Sequence, residues 1–155
     1  MANLNFDTMR KVVLAGFIGE LFFEIYAWLI SPALFGPTLE PARLVTAIVD
    51  RVTGVSLPYG PAFAIHSFMG AVIFAFLVFF AQKITRRSYV LTGFLTGLIL
   101  WFVAQGILAP FVGRSFMMDF GTYTQSSFVA HTGMLVVMGF VLSKVFAPET
   151  ETEAV

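Results

Sequence analysis

Residues 12–34 read VVLAGFIGELFFEIYAWLISPAL, an apolar run interrupted by two carboxylates, Glu20 and Glu24. A transmembrane helix needs roughly 20 predominantly apolar residues, and this stretch is long enough. Basic Arg10 and Lys11 precede it, as in a secretion signal. Two acidic residues inside the run and the lack of a small-x-small cleavage pattern argue for a retained helix instead. Four residues apart, Glu20 and Glu24 fall on one helix face.

Three further runs follow at residues 61–81, 89–110 and 126–145. Of 155 residues, 58% are hydrophobic and 12% charged, with mean hydropathy +0.88, a balance unlike that of soluble domains. What remains is an N-terminal stub, three connections and an acidic tail carrying Glu149, Glu151 and Glu153. The chain reads as one all-α domain, an integral-membrane up-and-down four-helix bundle without a separate soluble unit. Zero net charge without a basic cluster argues against nucleic acid as a partner. The absence of Cys removes disulfides, thiolate metal sites and Cys nucleophiles.

The longest connection, residues 35–59, has helix signals over 41–54. Pro41 suits a first turn, Gly54 suits a C-terminal cap, and Leu44, Ile48 and Val52 share a face. This short amphipathic helix is expected either flat on the outer membrane surface or as a cap over the bundle mouth. Arg10, Lys11, Lys83, Arg86, Arg87 and Lys144 lie toward one side of the four spans, against Arg43, Arg51 and Arg114 on the other. The positive-inside rule then places both termini in the cytoplasm.

Internal similarity sharpens the picture. Val13-Leu14-Ala15-Gly16-Phe17 recurs as Val90-Leu91-Thr92-Gly93-Phe94, and the same offset carries Arg10 to Arg87 and Gly36 to Gly113. Phe63-x-x-His66-Ser67-x-Met69 recurs as Phe128-x-x-His131-Thr132-x-Met134. The chain is therefore expected to be two tandem two-helix repeats. Parallel repeats are related by an axis along the membrane normal, which makes helices two and four diagonal partners with His66 and His131 facing each other.

At 1.5 Å per residue, Glu24 lies about 20 Å from Lys11, His131 about 20 Å from Lys144 and His66 about 25 Å from Lys83. These groups share a layer, with Glu20 one turn deeper and Gln105 approaching from helix three, along a stripe with Trp101 and Gly97. Ionisable side chains in the hydrocarbon region are costly and mark functional sites by default. Four readings compete.

In the first, His66, His131, Glu24 and Gln105 are structural glue, hydrogen-bonded across the bundle. In the second, His66 and His131 are the axial ligands of haem b. Diagonal helices about 14 Å apart leave room for an iron between two imidazoles, Ala62, Gly70, Ala130 and Gly133 make space, and Arg114, or Arg43 and Arg51, meets the propionates. In the third, His66, His131, Glu24, Met69 and Met134 hold a transition-metal ion, or Glu20 and Glu24 form a proton relay with the histidines. In the fourth, the apolar exterior with its nineteen Phe is the function, and the chain is an accessory subunit of a larger respiratory or photosynthetic membrane complex, or a homo-oligomer.

Walker, Rossmann, Gly-x-Ser-x-Gly and His-Glu-x-x-His motifs are absent. Ser67 and Thr132 follow the two histidines, where helical hydroxyls usually bond back to a carbonyl. Asp119 and Arg114 in a loop read as a pair or as solvated charge. No residue is assigned a catalytic role. The leading expectation is a non-catalytic haem- or metal-holding protein of an electron-transfer membrane, then an accessory subunit, then proton or metal-ion transport.

His66-x-x-x-Gly70, then Gly93, Trp101, Pro110 and Gly113, then His131 near the start of the last helix, together resemble small four-helix bacterial inner-membrane families of unknown function, the YagU-like proteins among them. The resemblance covers helices two to four. It implies a bacterial inner membrane and points to the same histidines, and it brings no established reaction.

Overall fold

The structure, a computed structural model, describes residues 4–147, so the three acidic tail residues lie outside the described residues. The helices are α1 (Phe6–Phe35), α2 (Ala42–Thr53), α3 (Tyr59–Thr85), α4 (Tyr89–Phe111) and α5 (Thr122–Val145). All but α2 are long and apolar enough to cross a membrane. No strand occurs among the described residues.

Local signals set the ends. α1 starts ahead of the apolar run because Asn5 caps it, its Oδ1 accepting the Thr8 N–H at 2.8 Å. Lys11 pairs with Asp7 on the next turn at 2.7 Å. Ser88 caps α4 by accepting the Leu91 N–H at 3.3 Å. α2 stops at Gly54, whose φ of 72° ends the helix in the left-handed conformation.

Three of the long helices each contain a π-helical segment, Tyr26–Ile30, Met69–Phe74 and Val103–Leu108, whereas α5 is α-helical throughout. A proline clashes with the carbonyl four residues before it. For Pro32 and Pro110 that carbonyl belongs to Trp28 and Gly106, each inside a π segment. Widening the turn relieves the clash and rotates the side chains that follow.

Glycines bring these helices together. A Cβ on Gly16 of α1 would overlap the Ala71 carbonyl of α3, and one on Gly93 of α4 would overlap the Leu135 carbonyl of α5. Without side chains there, the backbones pack at close range. α1 thus lies against α3 and α5, and α4 against α3 and α5. Phe23, Phe79, Met134, Leu135, Met138 and Leu142 fill the space between. At the end carrying the start of α1, the Phe146 ring meets Phe79 at 5.5 Å and Tyr89 at 6.1 Å, with the Lys11 ammonium 5.7 Å from its centroid. The outer faces are apolar: Phe17 is 61% exposed, Leu29 69% and Ile99 62%. Such a surface suits hydrocarbon rather than water.

The apolar side of α2 turns inward, Leu44, Val45 and Ile48 lining an internal cavity, while Val52 is 67% exposed and leaves the shared face. The Thr46 hydroxyl ties the helix to the Leu57 carbonyl at 3.2 Å. At the start of α2, the Arg43 guanidinium hydrogen-bonds Glu40 and holds its carboxyl below the usual carboxylate range. In the connection to α5, Met117, Met118, Asp119 and Phe120 all have positive φ, between 47° and 56°. A left-handed turn costs non-glycine residues about 1–2 kcal/mol each. Buried Met117, whose carbonyl accepts the Thr124 hydroxyl, anchors the turn. Asp119 accepts the Ser115 hydroxyl at 2.8 Å, not a bond from Arg114.

The glycine contacts make a testable case. Gly16→Val and Gly93→Val should each destabilise the protein by about 1–3 kcal/mol through overpacking. Gly60→Ala should be neutral or stabilising, since nothing lies within 4 Å of its added Cβ. Thermal unfolding in detergent measures all three, and equal midpoints for Gly16→Val and Gly60→Ala would refute the close approach.

Candidate metal centre

Glu20 stands midway along α1, its side chain only 7% exposed, with Glu24 one turn on at 18%. Across from them on α3, His66 is 13% exposed, its Nδ1 3.4 Å from Glu20 Oε1 and 4.0 Å from Glu24 Oε1. One ligand atom from each residue lies within 4.8 Å of the others. These separations exceed a good N–H···O hydrogen bond. Both Glu20 oxygens, Glu24 Oε1 and His66 Nδ1 are buried without a hydrogen-bond partner. The exception is Glu24 Oε2, which accepts the Trp28 indole N–H at 2.8 Å.

Sequence explains how the group assembles. Glu20, Glu24 and Trp28 follow one another at four-residue steps, so they form a stripe on α1. Gly70 opens the facing side of α3, because a Cβ there would overlap Glu20 Oε2. Glu24 and His66 each stand just ahead of a π segment and Gln105 within one, a feature frequent at functional sites.

Chemically, the cluster fits a divalent cation. Two ligands about 2.1 Å from a tetrahedral ion are about 3.4 Å apart, the separation of His66 Nδ1 and Glu20 Oε1. The Glu24 oxygen would need to approach His66 Nδ1 by about 0.6 Å, within the reach of a side-chain torsion. Two carboxylates and a neutral imidazole cancel the charge of a dication, which matters where net charge is costly. An O,O,N donor set suits zinc, iron(II) or manganese(II). The Trp28 bond fixes the outer oxygen of Glu24, as metal-bound carboxylates are commonly held.

The other expected site residues stand elsewhere. His131 Nδ1 bonds the Ser127 carbonyl at 2.8 Å, and the Ser127 hydroxyl accepts the Gln105 amide at 3.1 Å. No carboxylate joins that chain. The Phe23 ring packs against both imidazoles, its centroid 5.3 Å from that of His66 and 5.6 Å from that of His131. Met69 is 39% exposed, and Met134 is buried with its methyl beside Gly70. Glu20 Oε2 lies against the same face of Gly70. His66, His131, Met69 and Arg114 share the wall of a cavity of about 180 Å³. Thr132 bonds back to the Phe128 carbonyl at 2.7 Å, whereas the Ser67 hydroxyl has no partner.

Sequence reasoning gave Glu20 to a proton relay only and did not single out Trp28. The four-residue stripe was the signal for both. Comparisons with protein families, curated proteins and solved structures found no match for this chain.

If the carboxylates only glued helices together, removing one would loosen the fold. Their lack of partners predicts the reverse for metal-free protein. Glu20→Met should leave stability unchanged or raise it by about 1–3 kcal/mol, the cost of a buried unpaired polar group. A clear fall in the unfolding midpoint of chelator-treated Glu20→Met would restore the glue reading.

Proposed function

We propose that the chain is a small multi-pass membrane protein that holds a divalent transition-metal ion between α1 and α3, with Glu20, Glu24 and His66 as ligands. One observation carries the reading: four buried polar atoms of these residues converge without hydrogen-bond partners. Three protein ligands leave a coordination position open for water or a transferred group, as in exchangeable rather than purely structural sites. Haem is disfavoured by the Phe23 ring against both imidazoles. A second reading keeps the same residues as a proton site, since two apposed carboxylates without donors are also neutralised by protonation.

The reading includes an up-and-down bundle of two tandem helix pairs in a bacterial inner membrane, both termini cytoplasmic. Support for the pairing comes from equivalent positions. The π segments beginning at Tyr26 and Val103 share the offset that relates Gly16 to Gly93. Gly36 and Gly113, again at that offset, both have positive φ, 93° and 85°. In this correspondence Gly97 and Trp101 replace Glu20 and Glu24, so the ion site belongs to the first pair alone.

Chelator-stripped protein in detergent, incubated with zinc, manganese(II) or iron(II) and passed through a desalting column, should retain one equivalent of at least one metal. Glu24→Gln and His66→Ala should each lower the affinity at least tenfold. Absence of retention, or retention that both variants leave intact, sinks the metal reading. Proton flux in liposomes that depends on Glu20 would then favour the second.

A further inference from the structure

At the α2 end of the long helices, all five helices contribute to the wall of the cavity of about 180 Å³. An apolar cavity of roughly 150 Å³ is known to take up benzene, so a six-membered ring fits here by volume. Phe23, Leu44, Ile48 and Leu100 make much of the wall apolar. Two acceptors interrupt it. His131 Nδ1 donates to the Ser127 carbonyl, so a neutral ring keeps its proton there and leaves Nε2 as a free lone pair. Gln105 donates its amide to Ser127 Oγ, and its Oε1 is buried without a partner although the residue is only 6% exposed.

This inventory selects a ligand class. The unclaimed acceptors call for a donor, and a hydroxyl is a compact donor that an uncharged, membrane-soluble ring can carry. Arg114 is the one full-time charge in the wall, with no carboxylate within ion-pair distance among the described residues, so a cationic ligand is disfavoured. We propose that the cavity binds a membrane-soluble amphiphile with a hydroxylated ring, of the phenol or quinol class. The ring fills the apolar volume and its hydroxyl donates to His131 Nε2. This goes beyond the ion-holding reading and does not depend on it, although His66 borders both places.

Equilibrium dialysis of chelator-treated protein against 4-ethylphenol and 4-ethylanisole separates this from partitioning into detergent, because the methyl ether has the same ring but no donor. The phenol should bind saturably and at least tenfold more tightly than the ether. His131→Phe should reduce the phenol to the ether's level, and Gln105→Leu, usable if His131→Phe does not fold, should weaken it several-fold. Ala104→Trp, which fills the cavity, should abolish saturable binding of both. Glu24→Gln, which disables the ion site, should leave phenol binding unchanged. Equal, non-saturable uptake of both compounds, or saturable binding indifferent to His131→Phe, Gln105→Leu and Ala104→Trp, overturns the proposal. Loss of phenol binding in Glu24→Gln alone would also overturn it, by placing the ligand on the ion site.

Discussion

Hydrocarbon offers no hydrogen bonds, so a polar group on a membrane-spanning helix must find its partner within the chain. This protein meets that demand along α5. The Ser126 hydroxyl lies 3.1 Å from the Tyr26 hydroxyl and 2.6 Å from that of Ser31, which donates onward to the Pro37 carbonyl at 2.6 Å. The Trp101 indole donates to the Thr124 carbonyl at 3.1 Å. These bonds tie α1 and α4 to α5. Between α1 and α3 the demand goes unmet at Glu20, Glu24 and His66. Other lone oxygens exist, on Ser67, Thr92, Tyr89, Gln82 and Gln105, but a neutral hydroxyl or amide without a partner costs far less than a carboxylate.

The same contact that lets the helices approach puts the unmet groups face to face. Gly16 backs onto the Ala71 carbonyl, and one turn further Gly70 admits the Glu20 carboxylate. A larger residue at either position would separate α1 from α3 at the level where Glu20, Glu24 and His66 converge. Packing and chemistry are therefore one constraint here. The π segments add to it, since each redirects the side chains next to the polar layer.

Among the described residues, α4 and α5 have no counterpart of the Glu20–Glu24–His66 group. Gly97 lies where the offset would place Glu20, against the His131 and Thr132 backbone. Trp101 stacks edge-on against Phe128 at 5.1 Å. His131 consequently meets no carboxylate and turns to Ser127 and Gln105. Two histidines in matching sequence patterns end in unlike surroundings, one beside two acids and one beside an amide and an apolar cavity.

The amino-acid sequence determined the number and approximate position of the long helices, because apolar runs near the span of a bilayer are set by composition alone. It also determined the limits of α2 through Pro41 and Gly54, whose backbone preferences act locally. It set Glu24, His66 and His131 at one depth with Glu20 one turn deeper, because axial rise converts residue count to depth. Only the tertiary structure decided which of them meet. Depth says nothing about azimuth, which depends on the glycine contacts and on π segments that rotate the faces. Hence Phe23 came to stand against both imidazoles, Glu20 and Glu24 came to face His66, and His131 turned to Ser127. The inward turn of α2 likewise depended on the cavity beneath it, which exists only once all five helices are packed.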